Sequence, residues 1–139
     1  MERPKVTPEI VAEAARQLAA DNGWSDEQAA DIAKYYKQWT DGYALAKELD
    51  SWCGWDIDVS TVEALDCMGP LVRELHRKVC LKWAKENDIQ PPLPIGTMTT
   101  KGEITGIYEH DAAYYKVREP GAINDSRRLL VKFEDARAA

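Results

Sequence analysis

His76 and Cys80 stand four residues apart in a stretch of helical pattern, so one helical face would present an imidazole and a thiol together. Cys53 and Cys67 bring the set to four groups of the kind that hold zinc. The spacing argues against a site. The chain has no Cys-x-x-Cys pair, the arrangement that usually supplies one side of a zinc centre. The same thiols beside His76 or His110 would make a thiolate–imidazole pair for nucleophilic catalysis. Two groups on one helix, however, have fixed backbones and no cleft of their own. We read Cys53, Cys67 and Cys80 as reduced structural thiols and expect neither metal nor cofactor.

Carboxylates come next. "WDIDVS", residues 55–60, would put Asp56 and Asp58 on one side of an extended segment, with Glu63 and Asp66 close behind. Paired carboxylates run hydrolysis or hold a divalent cation, and Asp56, Asp58 and His110 would be the set of a small hydrolase. Asp58 is more simply a turn or cap residue ahead of the helix that follows, and the others a solvated acidic rim. "GTMTTKGE", residues 96–103, has glycine, threonine and lysine but neither the P-loop order nor a helix to open. No catalytic residue is assigned, and the chain is read as non-enzymatic.

Two constellations suit binding. All five tryptophans, Trp24, Trp39, Trp52, Trp55 and Trp83, precede the proline cluster at residue 91, more than a helical region of that size needs for its core. Trp39 and Trp83 fall on apolar stripes and are assigned to the core. Trp52 and Trp55 flank Cys53-Gly54 beside Asp56 and Asp58, and these four form the candidate partner-binding set, aromatic contact area inside an acidic field. The competing assignment is that Trp52 and Trp55 cap the end of the helical core. In the second constellation Tyr114, Lys116 and Arg118 alternate along a strand-like run, with Lys132 in another such run. Aromatic and basic groups on one sheet face suit single-stranded nucleic acid. Glu103, Glu109, Asp111 and Glu134 lie close by in sequence and dilute that field, so nucleic acid is the lesser partner.

The elements that must position these groups can be read from periodicity. Thr7 caps a first helix with Pro8 in its first turn, and Asn22-Gly23 stops it. Ser25 and Gln28 have capping-box spacing, and Ala29, Ile32, Tyr36, Trp39, Tyr43 and Ala46 continue as a helical stripe with a soft spot at residues 40–42. That aromatic stripe would serve a core, a partner or a homodimer face. Ser60 and Glu63 suggest a second capping box, and Gly69-Pro70 a kink or break in the helix. After "PPLPI", residues 91–95, the pattern turns to short alternating runs. Ala113, Tyr115 and Val117 share one face of their run, as do Leu129, Val131 and Phe133. Ile104 and Ile107 are three apart, and a bulge at Gly106 would bring both into a core.

Charge is uneven. Residues 1–68 hold 6 Lys/Arg against 14 Asp/Glu, residues 69–92 hold 5 against 3, and residues 93–139 hold 7 against 7. A net charge of −6 argues against a general grip on phosphates and for attraction to a basic protein surface. No apolar run approaches the ~20 residues of a membrane span, so no membrane partner is expected. The start, "MERPKVTPEI", has no signal-peptide core, and a cytoplasmic protein is the expectation.

The expected fold is α+β: a helical domain over 1–90, a proline-rich connector over 91–94 and a small antiparallel β-barrel over 95–139. Gly102, Ile104, Ile107, Tyr115 and Val117 stand in an order that resembles the SH3-like barrels of KOW type, over about residues 95–136. That resemblance implies a barrel that binds proteins or nucleic acids and carries no catalytic residues. The lack of a basic excess departs from nucleic-acid-binding members. The whole chain resembles the compact accessory proteins of bacteriophages, which implies an inhibitor of a host protein complex. The alternative is a nucleic-acid-associated adaptor working through the barrel.

Overall fold

The computed structural model describes residues 2–38, 40–122 and 128–139. Trp39, assigned above to the core, lies outside the described residues. The elements run α1 (Pro8–Asn22), α2 (Asp26–Tyr35), α3 (Gly42–Cys53), α4 (Val59–Leu65), α5 (Met68–Glu86), then β1 (Met98–Thr99), β2 (Gly102–Tyr108), β3 (Tyr114–Arg118) and β4 (Arg128–Lys132), ending in a short 3-10 turn at Phe133–Asp135. The fold is α+β. It divides into two compact units, Met1–Lys78 and Val79–Ala139, with the division inside α5. Among the described residues no helix is long and apolar enough to cross a membrane.

The helix starts follow local chemistry. Thr7 accepts from the Ile10 N–H, and Pro8 costs nothing where no partner for its nitrogen exists. Gly23, at φ 70°, closes α1 in the left-handed conformation that a residue without a Cβ adopts freely. Ser25 and Gln28 form the full reciprocal capping box of α2. The soft spot at residues 40–42 is a true break: α2 ends at Tyr35, and Asp41 caps a new helix by accepting from the Ala44 N–H. That connection resets the helical phase. Leu45, Ala46 and Leu49 turn inward, and Tyr43, placed on the apolar stripe by periodicity, is 62% exposed. Two further expectations are corrected. The cap of α4 is Asp58, which accepts from the Thr61 backbone and hydroxyl, not Ser60 with Glu63. The break near Gly69-Pro70 falls just upstream, at residues 66–67, because proline is tolerated in the first turn of α5.

The helical unit packs on Ile10, Ala14, Leu18, Ile32, Leu45, Leu49, Trp55, Leu65, Met68 and Val72, with small alanines between them. Gly42, at the start of α3, is a point of close approach. A Cβ there would overlap the Val62 carbonyl oxygen and the Asp66 backbone nitrogen, and the Asp66 carboxylate accepts from the Gly42 N–H. Only a residue without a side chain lets α3 and α4 meet so closely.

The sheet is an antiparallel meander in the order β1-β2-β3-β4. It curls into a half-barrel, and the chain end returns to its first strand: Thr99 bridges Ala138, and the Ala139 N–H donates to the Met98 carbonyl at 2.9 Å. The arrangement is compatible with a small barrel. Ile104 pairs with Val117 and Gly106 with Lys116, so the register slips by one residue between them. That bulge turns Ile104 and Ile107 toward the same core, as their three-residue spacing requires. Ile104, Tyr115, Val117, Val131 and Phe133 make that core, with Ile89, Leu93 and a half-buried Leu129 against it. Phe133 reaches it from the 3-10 turn, not from the strand.

Two outcomes test this packing. Gly42→Ala should destabilise the chain by about 1–3 kcal/mol, since backbone must move to admit one methyl group; urea unfolding measures it. Val131→Asp should cost on the order of 3 kcal/mol or more, because an unpaired carboxylate would enter a small core, and thermal unfolding by circular dichroism would report it.

Candidate functional site

The structure separates the four residues proposed for partner binding. Trp55 is 8% exposed. Its ring meets Trp24 edge-on at 5.2 Å, and its indole N–H donates to Asp31 at 3.2 Å. It follows the left-handed Gly54, which ends α3 and folds the chain back over the helical core. Trp55 is therefore the cap of that core and offers no exposed ring. Trp52, in the last turn of α3, is 71% exposed. Asp56 is exposed, and Asp58 is engaged with Thr61 at the start of α4.

What remains at this end of the helical unit is an exposed tryptophan in an acidic segment. Residues 48–58 hold Glu48, Asp50, Asp56 and Asp58 and no Lys or Arg. Val59, 74% exposed, follows directly, and Tyr43 lies exposed at the other end of α3 with the Lys47 ammonium 5.5 Å from its ring centre. Periodicity put Tyr43 on the inward stripe and did not mark Val59 at all, yet both are exposed. The signals were the cap residues Asp41 and Asp58, which set the phases of the two helices.

Among the described residues no group of three or more His, Cys, Asp or Glu is placed to hold a metal ion. His76 Nε2 donates to the Pro4 carbonyl at 2.8 Å, Cys80 is buried, and the exposed Cys67 thiol, in the break after α4, points to the Glu63 carbonyl of α4 at 3.8 Å. Burial, with the Asp31 carboxylate beside it, raises the Cys53 pKa, the opposite of what a thiolate nucleophile needs. Asp56 and Asp58 lie exposed in the helical unit, and His110 lies exposed in the sheet unit beside Tyr108 at 5.6 Å between rings.

The second set is brought together. Tyr114, Lys116 and Arg118 occupy alternate positions of β3, opposite in sense to the buried Tyr115 and Val117. Lys132 is the β4 partner of Tyr114, and Arg128, not singled out from the sequence, is the partner of Arg118. Glu103 is the β2 partner of Arg118 and pairs with it at 2.8 Å. On the helical side a groove of about 810 Å³ runs along α1 and α2, floored by Val11, Ala12, Ala29 and Ala33.

Comparison with protein-family models, with curated proteins and with solved structures finds no match to this chain.

Asp58 gives the acidic end a pH signature. The Thr61 N–H, then its hydroxyl, hold the Asp58 pKa below the ordinary aspartate value. A carboxylate whose pKa is lower folded than unfolded stabilises fully above its unfolded value, and that stabilisation is lost as pH falls through the folded value. Asp58→Asn keeps an accepting cap that does not titrate. Its urea midpoint should fall less steeply than that of the parent chain as the pH is lowered below about 4, while Asp58→Ala should be less stable than both at neutral pH.

Proposed function

We propose that this chain is a non-enzymatic interaction protein that binds a partner protein with a basic surface, using the exposed end of α3 and the loop to α4. The observation that carries this is Trp52, 71% exposed within a segment of four carboxylates and no cation. Exposed tryptophan is costly in water and is the residue most enriched among binding hot spots. The surrounding acids steer a basic partner before contact and discriminate against acidic ones. Trp55 acts here from beneath: with Asp31 and Trp24 it fixes the turn from which Asp56 projects.

Charge is divided between the units in the same sense. Met1–Lys78 holds 15 Asp/Glu against 9 Lys/Arg, and Val79–Ala139 holds 9 of each, so the whole net charge of −6 belongs to the helical unit. The half-barrel is the part whose residue order resembles SH3-like barrels of KOW type. Together with the likeness of the whole chain to bacteriophage accessory proteins, this makes inhibition of a host defence complex the role we assign.

Affinity capture from a host lysate, followed by titration with the purified partner, tests the reading. Trp52→Ala combined with Asp56→Lys should weaken binding by ~2–4 kcal/mol if Trp52 is a hot spot, with circular dichroism unchanged. Association should slow as salt is raised, and the captured partner should carry a basic patch. Full-strength binding by the folded double variant would show that the interface lies elsewhere.

A further inference from the structure

The period of two along a strand gives the sheet a second face. With Tyr115, Val117 and Ile104 inside, the residues left on the other side are Glu103, Gly106 and Tyr108 of β2, Tyr114, Lys116 and Arg118 of β3, and Arg128, Leu130 and Lys132 of β4. Four of these are cations, and the single carboxylate is already paired with Arg118. The other acids that dilute the charge in sequence lie outside these strand positions. Glu109 and Asp111 lie in the turn beyond β2, and Glu134 lies in the 3-10 turn beyond β4.

The register places like charges against each other. Arg118 stands directly opposite Arg128 across β3 and β4, and Lys116 and Lys132 sit two positions apart on neighbouring strands. Like charges directly opposite in a sheet destabilise it. A bound polyanion would offset that repulsion with attraction to each cation. Beside the cations, Tyr108 stands opposite Tyr114 across β2 and β3, and neither ring belongs to the sheet core. Gly106, two residues before Tyr108 and opposite Lys116, adds no side chain to this face, and the Lys116 stem lies 3.7 Å from where its Cβ would be. Two adjacent aromatic rings next to a row of cations match the alternation of base and phosphate in a single strand, where every base offers a face for stacking. A duplex hides those faces, and an acidic protein has none.

We propose that this face of the sheet binds single-stranded nucleic acid, Tyr108 and Tyr114 stacking bases while Lys116, Arg118, Arg128 and Lys132 meet the phosphates. The site lies in the sheet unit, and the proposal does not rest on the reading of the acidic segment in the helical unit. The test is fluorescence anisotropy of labelled oligo-dT and oligo-U strands of about 12 nucleotides with the full chain, the DNA and RNA arms deciding between the two sources. Both log–log salt slopes should lie near −2 to −3, as expected for about three to four phosphate contacts on a single strand. Lys116→Glu with Arg128→Glu should weaken binding at least about tenfold, and Tyr114→Ala at least about fivefold. Lys5→Glu with Lys37→Glu, the same charge change in the helical unit, should leave it within about twofold. Should the double Glu variant fail to fold by circular dichroism, Lys116→Gln with Arg128→Gln takes its place. Three results would overturn the proposal: no saturable binding at about 50 mM salt, binding that the sheet variants leave intact, or equal competition by heparin with no effect of Tyr114→Ala.

Discussion

Tyr115 is fully buried, and its hydroxyl donates to the Leu93 carbonyl at 3.0 Å while accepting from the Leu93 N–H at 2.7 Å. A phenol enclosed in so small a core would be costly without partners, and one residue of the proline-rich segment supplies both. The ring also lies 4.5 Å from Phe133, which ties the chain beyond β4 into the same core. Tyr115 thus joins the segment before the sheet, its central strand and the chain after it. Its inward position also decides the opposite face. Once Tyr115 and Val117 point in, Tyr114, Lys116 and Arg118 must point out, and antiparallel pairing brings Arg128 and Lys132 alongside.

The helical unit depends on a constraint of another kind. Gly42 lets α3 approach the end of α4 until the Asp66 carboxylate caps its first N–H, so α3 is held at its start by two carboxylates, Asp41 and Asp66. Carboxylates near a helix N-terminus also favour the helix electrostatically. Anchored there and closed at Gly54, α3 buries Leu45, Ala46 and Leu49 and leaves Trp52 in water. The exposed tryptophan follows from the phase of the helix, which those end contacts set.

Much of this was legible in residue types. Thr7, the Ser25–Gln28 box and Gly23 marked helix ends because each answers a local need of the backbone. The spacing of Ile104 and Ile107 announced the bulge because a strand alternates strictly. The candidate sites were less legible, and for physical reasons. Asp58 and Ser60 both suit a helix cap, and only the pairing of Asp58 with the Thr61 N–H and hydroxyl separates them. Trp52 and Trp55 are alike in composition and setting, yet the turn at Gly54 sends one ring to solvent and the other to Asp31, a partner twenty-four residues away. Asp66, read as an acidic rim residue, became the partner of Gly42 through an equally distant contact. Arg128 carried no sequence signal, because its place beside Arg118 exists only once β3 and β4 are paired in register.

Net charge is a poor guide to such a chain because charges act locally. At physiological salt the field of an exposed charge decays over about 8 Å, shorter than a strand of five residues at about 3.3 Å each. A carboxylate elsewhere on the surface is therefore nearly invisible to a phosphate held at Lys116. What a ligand meets is the sign of the face in front of it. On the sheet that sign is set by alternation and register, and at the end of α3 by a run of acids around an exposed ring. The total of −6 averages two surfaces of opposite character, one in each unit.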